Sequence, residues 1–417
     1  MIINILIGIC FLAYIVLKGT RKAFPLFFTV CIFGWQFQIA GPLTLEDILL
    51  LEFFIFGFRK IKKTLLSNTY PYVIVSFLSI VSYFLSALHT TNDPHWALTF
   101  LICWRSLGLP ILLFSFVENI TEMKRFFRIL YVVILITFFS CIVDLIIGDH
   151  LWLSLIRAYI DPGYGFDMGT SLRYGINRIQ GFFPQPISLG YFSVTVFSFM
   201  LFFQESLKKY LSPKAIKLSL FILIICSFLS TSRVAIVALA LSILLFSRKK
   251  ILNPKYWFSL VFLTCIAIFW FGDYINTIIQ SIVQSENTEG SSTELRTGQL
   301  EVCLTYFAQS PIVGLGTYAI FDVARKYNSI ILGAESIWFF LMVNNGILGC
   351  FSYICFYIKS MRFLPYWKWE CFSILIVQLF FNTFTSIPGF DVGFMLCIML
   401  LINRLYLIQS SQNALRQ

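Results

Sequence analysis

Only 12% of this chain is charged, and only three residues are histidine. A soluble domain carries about 25% charged residues, so a fold that faces water on all sides is excluded. Several chemistry-bearing patterns are missing as well. There is no HExxH, no phosphate-binding P-loop and no GxSxG. The DxD of metal-dependent nucleotide-sugar transferases is also absent. No Gly/Ser linker, low-complexity run or internal repeat divides the chain. Of the eleven cysteines, all but Cys303 fall within or at the ends of apolar runs, which excludes a disulfide framework.

What is present is apolar surface. Hydrophobic residues make up 58%, mean hydropathy is +0.83, and 47 residues are phenylalanine. Apolar runs of about 17–20 residues recur, each long enough to cross a bilayer core. Backbone in lipid must satisfy its own hydrogen bonds, so the runs predict helices. The short alternating segments of a membrane barrel are absent. The predicted fold is an all-α polytopic membrane protein of about 12–13 spans. The spans are read at 2–17, 23–40, 44–58, 70–86, 97–116, 129–147, 188–204, 218–231, 233–247, 256–272, 335–356, 370–385 and 391–407. The third carries Glu46, Asp47 and Glu52. The opening stretch, "MIINILIGICFLAYIVL", has no basic start and no small-residue cleavage site, so it reads as a first span and not a signal peptide.

The net charge of +11 sits mostly on alternate connections: Lys18, Arg21 and Lys22; Arg59 to Lys63; Lys124 to Arg128; Lys208 to Lys217; Arg248 to Lys255; Lys359 to Lys368. The positive-inside rule assigns these to the cytoplasm, an arrangement that excludes a nucleic-acid partner. The N-terminus is then outside and the C-terminus inside. Residues 1–417 form a single transmembrane domain with two long outer loops, 148–187 and 273–334. Chemistry is confined to those loops and the adjoining span mouths.

Within the second loop, Ser291 and Glu294 have capping-box spacing before "LRTGQLEVCLTYFAQS". Leu300, Cys303, Leu304 and Phe307 predict one apolar face of an interfacial helix. Pro311 ends it, and Gly314 and Gly316 permit a sharp turn.

Three arginines lie at the outer face: Arg178 before the seventh span, Arg233 in "STSRVA", and Arg296 at the start of the interfacial helix. Guanidinium groups grip phosphate in a charged fork, so their convergence would clamp a pyrophosphate. Taken singly, each could instead snorkel to lipid headgroups or pair with a loop acid. Glu335, at the mouth of the eleventh span, is placed to act as general base on a sugar hydroxyl, or to serve as a helix N-terminal acid. Asn344 and Asn345, halfway along that span, fit helix joining better than substrate binding. Arg105, mid-span, needs a buried acid; Glu46, Asp47, Glu52 and Asp144 are the candidates. His89, Asp93 and His95, with His150 elsewhere, match no recognised zinc spacing. Neither a metal nor a cofactor is expected. The cytoplasmic connections are too short to hold a nucleotide sugar, which favours a lipid-linked donor on the outer side.

Four stretches, "RIQGFFPQPISLGYF", "STSRVAIVALALSILLFSRKK", "RTGQLEVCLTYFAQSPIVGLGTYAI" and "ESIWFFLMVNNGILG", resemble in that order the O-antigen polymerase and ligase superfamily. The resemblance spans about 175–350. It implies a metal-independent glycosyltransferase of the C-type (GT-C) architecture in the bacterial inner membrane, with its active site facing the periplasm. The implied substrates are glycans on undecaprenyl pyrophosphate, and the implied partners are membrane lipids and a separate chain-length regulator. The family's arginines carry over to Arg178, Arg233 and Arg296, with Gly181, Pro184, Pro186, Gly314 and Gly316 shaping the site. The ligase branch usually has a histidine where Glu335 stands, and this departure favours a Wzy-type polymerase. The alternatives are an O-antigen ligase acting on lipid A core, and a lipid-linked glycan flippase or other transporter.

Overall fold

In the computed structural model the described residues are 2–33, 38–40, 43–67, 70–90, 95–152, 172–173, 176–248, 293–317, 319–326, 336–363, 368–385 and 390–414. The apolar runs among them fold as helices. In chain order these are α1 (Ile2–Lys18), α2 (Thr20–Phe33), α3 (Leu45–Leu65), α4 (Val73–His89), α5 (Trp96–Phe116), α6 (Ile120–Ile147) and α7 (Pro186–Phe202). A one-turn α8 (Gln204–Leu207) precedes α9 (Pro213–Leu229) and α10 (Arg233–Ser247). Then come α11 (Thr293–Phe307), α12 (Ala319–Lys326), α13 (Ile337–Phe363), α14 (Lys368–Phe384) and α15 (Phe390–Ala414). Two short antiparallel pairs complete the described residues: β1 (Gln38–Ala40) with β2 (Leu43–Thr44), and β3 (Leu172–Arg173) with β4 (Ile176–Asn177). The span read at 256–272 lies outside the described residues.

Among the described residues, four helical stretches have the length and apolar composition to cross a membrane: Thr99–Phe116, Ile120–Ile147, Phe394–Ser411 and, though it is bent at Gly346, Ile337–Met361. Shorter apolar helices accompany them. Large side chains such as Ile55, Phe139 and Phe221 stay exposed on the outer surface of the bundle, as lipid contact requires. The protein is an all-α polytopic membrane protein.

Two helices form its centre. Residues 188–200 of α7 and 394–403 of α15 are buried without interruption. A helix buried on every side has neighbours all round it. For α7 these include α9, α10 and α14, and Phe394 of α15 lies 6.0 Å, ring to ring, from Phe192. The sequence of α7 explains the close fit: Ser188, Gly190, Ser193, Thr195 and Ser198 are small enough for backbones to approach. A Cβ on Gly190 would stand 2.8 Å from Ala235 Cβ of α10. Two turns further on, Ser198 Oγ is 2.7 Å from Ser242 Oγ, so α7 and α10 run side by side in the same direction.

The charged third span is explained by its partner. Arg105 of α5 donates from Nε to Asp47 Oδ1 (2.8 Å) and from Nη2 to Asp47 Oδ2 (2.6 Å). Of the four acids open to Arg105, the structure selects Asp47. Thr44 N and Oγ1 also donate to Asp47 Oδ2, at 2.8 and 2.9 Å. A desolvated carboxylate with this many donors is tolerable inside a bundle. Further along α5, Arg404 of α15 donates to the Phe114 carbonyl near the end of that helix.

The read span at 335–356 forms α13, and it is broken. Gly346 has φ 62° and ψ −156°. In a straight helix Trp338 and Tyr353 would stand about 22 Å apart along the axis. Their rings are 5.6 Å apart, so the two halves bend sharply toward each other. A break leaves helix-end carbonyls and amides unmatched, and the segment following α11 supplies partners. Leu315 N donates to Val343 O (2.9 Å) and Gly316 N to Asn344 O (3.1 Å). From the second half, Ile347 N donates to Pro311 O (2.8 Å) and Leu348 N to Ile312 O (3.1 Å). Non-helical backbone at membrane depth is thus buried in protein, as it must be.

Candidate functional site

The chain segments from Gly148 to His150, Asn177 to Pro186 and Leu229 to Arg233 meet at one end of the bundle, the end the charge pattern assigns to the outside. Ile179 N donates to Leu229 O (3.2 Å), which ties the stretch bearing Arg178 to the turn bearing Arg233. Asn177 Nδ2 donates to Gly148 O (2.8 Å). Trp152 and Phe182 pack edge to face at 4.6 Å.

Two helices begin here. Pro186 is the first residue of α7, where a missing N–H costs nothing and the fixed φ favours the helix. Pro184 lies just before it in a bend. Arg233 is the first residue of α10, and neither Gln185 nor Ser232 caps its helix with a side-chain hydrogen bond. Thr231, at φ 48°, folds the three-residue turn Ser230–Ser232 tightly enough to place α10 directly after α9. Helix N-termini carry partial positive charge and free amides, a setting that favours anions. Two such termini lie here, with the Arg178 and Arg233 segments beside them. Arg178 and Arg233 are half-buried, and Arg178 Nε and Nη2 and Arg233 Nη2 are enclosed atoms. The structure therefore brings two of the three arginine-bearing segments together.

Gly181 holds the turn between them. Its φ is +55°, and a Cβ there would lie 2.4 Å from Ser140 Oγ and 3.1 Å from Cys141 Sγ. Its N–H donates to Asp144 Oδ2 (2.9 Å). The same carboxylate oxygen is 3.4 Å from His150 Nδ1, and both side chains are buried. Asp144 is thus not the partner of Arg105; it pins the Arg178 loop to the end of α6. His150, considered above for a metal site, faces this carboxylate.

Gln180 was not singled out in the sequence. Its side chain is fully buried, and neither Nε2 nor Oε1 has a partner among the described residues. A buried amide left unmet costs about 1–3 kcal/mol, a burden expected where a ligand or water supplies the missing bonds. The only signal in the sequence was a polar residue between Arg178 and Gly181.

Arg296 lies in the first turn of α11, which packs along α13; its side chain is outside the described residues. Ser291 and Glu335 are outside them too. The apolar face read for α11 needs correction. Cys303 is buried, but Leu300 and Leu304 are exposed, and the buried neighbour is the polar Gln299. One face of α11 docks on the bundle while leucines stay outside it, as an interfacial helix can arrange. Gly314 and Gly316 sit in the segment that braces α13: a Cβ on Gly314 would be 2.4 Å from the Asn344–Asn345 peptide, and one on Gly316 would be 2.9 Å from Thr90. Asn344 accepts at Oδ1 from Ile320 N (2.9 Å), a helix-joining role.

The class defined so far is an integral membrane protein in which two helix N-termini and two arginine-bearing segments meet at one end of a helical bundle. Residues 218–354 match a family model described as O-antigen ligase. That match is consistent with a member of the O-antigen polymerase and ligase superfamily, and it supports a membrane enzyme that handles lipid-linked glycans. It covers Arg233, Arg296, Gly314, Gly316 and Glu335; Arg178, Gly181, Pro184 and Pro186 precede it. No curated protein matches the chain.

Proposed function

We propose that the chain is a polysaccharide polymerase that moves a growing glycan from undecaprenyl pyrophosphate onto the non-reducing end of a new lipid-linked repeat. The observation that carries this reading is the mouth itself: Arg178, Arg233 and the N-termini of α7 and α10 in one place, within a chain whose 218–354 match is to a glycan-handling family. The acceptor hydroxyl oxygen attacks the anomeric carbon of the donor. The bond from that carbon to the pyrophosphate oxygen breaks, and its electron pair leaves with the lipid pyrophosphate. Negative charge grows on the leaving group, so fixed guanidinium groups and helix-end amides stabilise the transition state more than the ground state. Arg296 completes the clamp in this reading, and Gln180 supplies amide hydrogen bonds to the bound phosphate or sugar. Glu335 takes the hydroxyl proton. The site faces the periplasm of the inner membrane, in a GT-C bundle, and a separate protein sets chain length.

A second reading, transfer of the glycan to lipid A core, is favoured by the description of the matching family as O-antigen ligase. One experiment separates them. The purified protein is given lipid-linked repeat alone, then repeat with lipid A core. Long chains from repeat alone support the polymerase; product only when core is added overturns it in favour of the ligase.

A further inference from the structure

At the opposite end of the bundle, the turn between α1 and α2 and the start of α6 enclose an open cavity of about 490 Å³. Lys18, Arg21, Lys22, Asn119, Glu122 and Arg125 line it. Four of these are cations and one is an acid. Arg21 Nη1 is 3.2 Å from Glu122 Oε1, and Arg21 also lies 3.7 Å from Glu118. Glu118 is held in turn by Lys60 at 3.0 Å. Lys18, Lys22 and Arg125 have no acidic partner among the described residues, so three positive charges face the cavity uncompensated. Asn119 caps α6, accepting at Oδ1 from Glu122 N (3.0 Å), and the positive end of a 28-residue helix adds to the field.

We propose that this cavity binds the headgroup of an anionic phospholipid in the cytoplasmic leaflet. The volume suits a headgroup and is within the usual range for small-molecule sites. Its cations belong to the clusters that the charge pattern places inside, where anionic lipid recognition by basic pockets is expected. The last turn of α1 leading into it is apolar and exposed: Val16 and Leu17, which precede Lys18, are 65% and 78% exposed. A charged hollow at the end of a helix with exposed aliphatic side chains matches a molecule with a phosphodiester and acyl chains. A free phosphate ion would engage the cations and leave the aliphatic side chains unused. The site is remote from the arginine mouth and independent of the proposed reaction.

The test uses the full chain purified in a neutral detergent, with bound phosphatidylglycerol and phosphatidylcholine counted by native mass spectrometry. Phosphatidylglycerol is expected to be retained at least tenfold more than phosphatidylcholine. Lys22→Gln with Arg125→Gln should abolish that preference, while Lys214→Gln with Lys217→Gln, basic positions elsewhere at the same end, should keep it. Arg125→Lys, which preserves the charge, should also keep it, and this variant answers the objection that the double substitution misfolds. Unchanged retention in the Lys22/Arg125 double variant overturns the proposal. So does equal retention of the two lipids. Full displacement of phosphatidylglycerol by millimolar inorganic phosphate would reassign the cavity to a free anion.

Discussion

At the scale of single residues, the mouth makes separable demands on charge and on hydrogen bonding. Arg233→Ala, assayed with lipid-linked repeat, should lower the polymerisation rate by about 10²–10³, the range measured when one transition-state donor is removed. Arg233→Lys should recover only part of this, because a lysine keeps the charge but loses the planar fork. Normal chains from a correctly inserted Arg233→Ala protein would end the clamp idea. Gln180 offers a test of the opposite sign. If its unmet amide exists for a ligand, Gln180→Leu should leave thermal stability equal or raised, since an unpaired buried polar group is removed. The rate should fall all the same. A substitution that lowers both alike would make Gln180 a structural residue. Arg178 and Arg233 were legible in the sequence because charge at a span mouth is conspicuous. Gln180 and the Asp144–His150–Gly181 contact were not: Asp144 and Gly181 are 37 residues apart, and nothing local marks them as neighbours.

At the scale of elements, most helices were legible from apolar runs alone, since length and hydropathy are all that a lipid-facing span must satisfy. Their ends differ from the reading in both directions: the span read at 23–40 stops as helix at Phe33, with Gln38–Ala40 paired as β1, while α6 starts at Ile120 against an expected 129, because its first nine residues carry Lys124, Arg125 and Arg128 ahead of the apolar run. The bend in α13 could not be read. "MVNNGILG" is compatible with a continuous helix, and the break exists because a segment about thirty residues upstream supplies the missing hydrogen bonds. Gly346 and Gly314 therefore act as one joint. A Cβ on Gly346 would stand 2.6 Å from the backbone of Ile312, at a positive φ that favours glycine. Gly346→Ala should destabilise the protein by about 1–3 kcal/mol from backbone strain, with more from the clash. Gly314→Ala attacks the same contact, so the double variant should lose clearly less than the sum of the single losses, as residues sharing one interface do. Thermal unfolding in detergent measures all three. Strict additivity would mean that the two glycines serve different structures.

At the scale of the whole molecule, the bundle has two chemically distinct ends. One gathers Arg21, Lys60, Glu118 and Glu122 in ion pairs, with Arg248 stacked 3.5 Å over the Trp369 ring. The other gathers Arg178, Arg233, Asp144 and His150. The positive-inside rule predicts which end faces the cytoplasm, and impermeant thiol labelling can check it against the unsubstituted chain. Cys303, the one cysteine the sequence puts in an outer loop, is buried in the contact of α11 with the bundle, and burial pushes its thiol up to about 12. A raised thiol value keeps the proton on, so at pH 8 this thiol carries far less of the reactive thiolate than a free cysteine does. Asp149 and Lys209 are both exposed, at opposite ends. In intact cells at pH 8, an impermeant maleimide should label Asp149→Cys above the level of the unsubstituted chain and leave Lys209→Cys at that level; after lysis both variants should exceed it. Labelling of Lys209→Cys in intact cells would invert the molecule and turn the arginine mouth toward the cytoplasm. A lipid-linked donor on the outer leaflet could then no longer reach it.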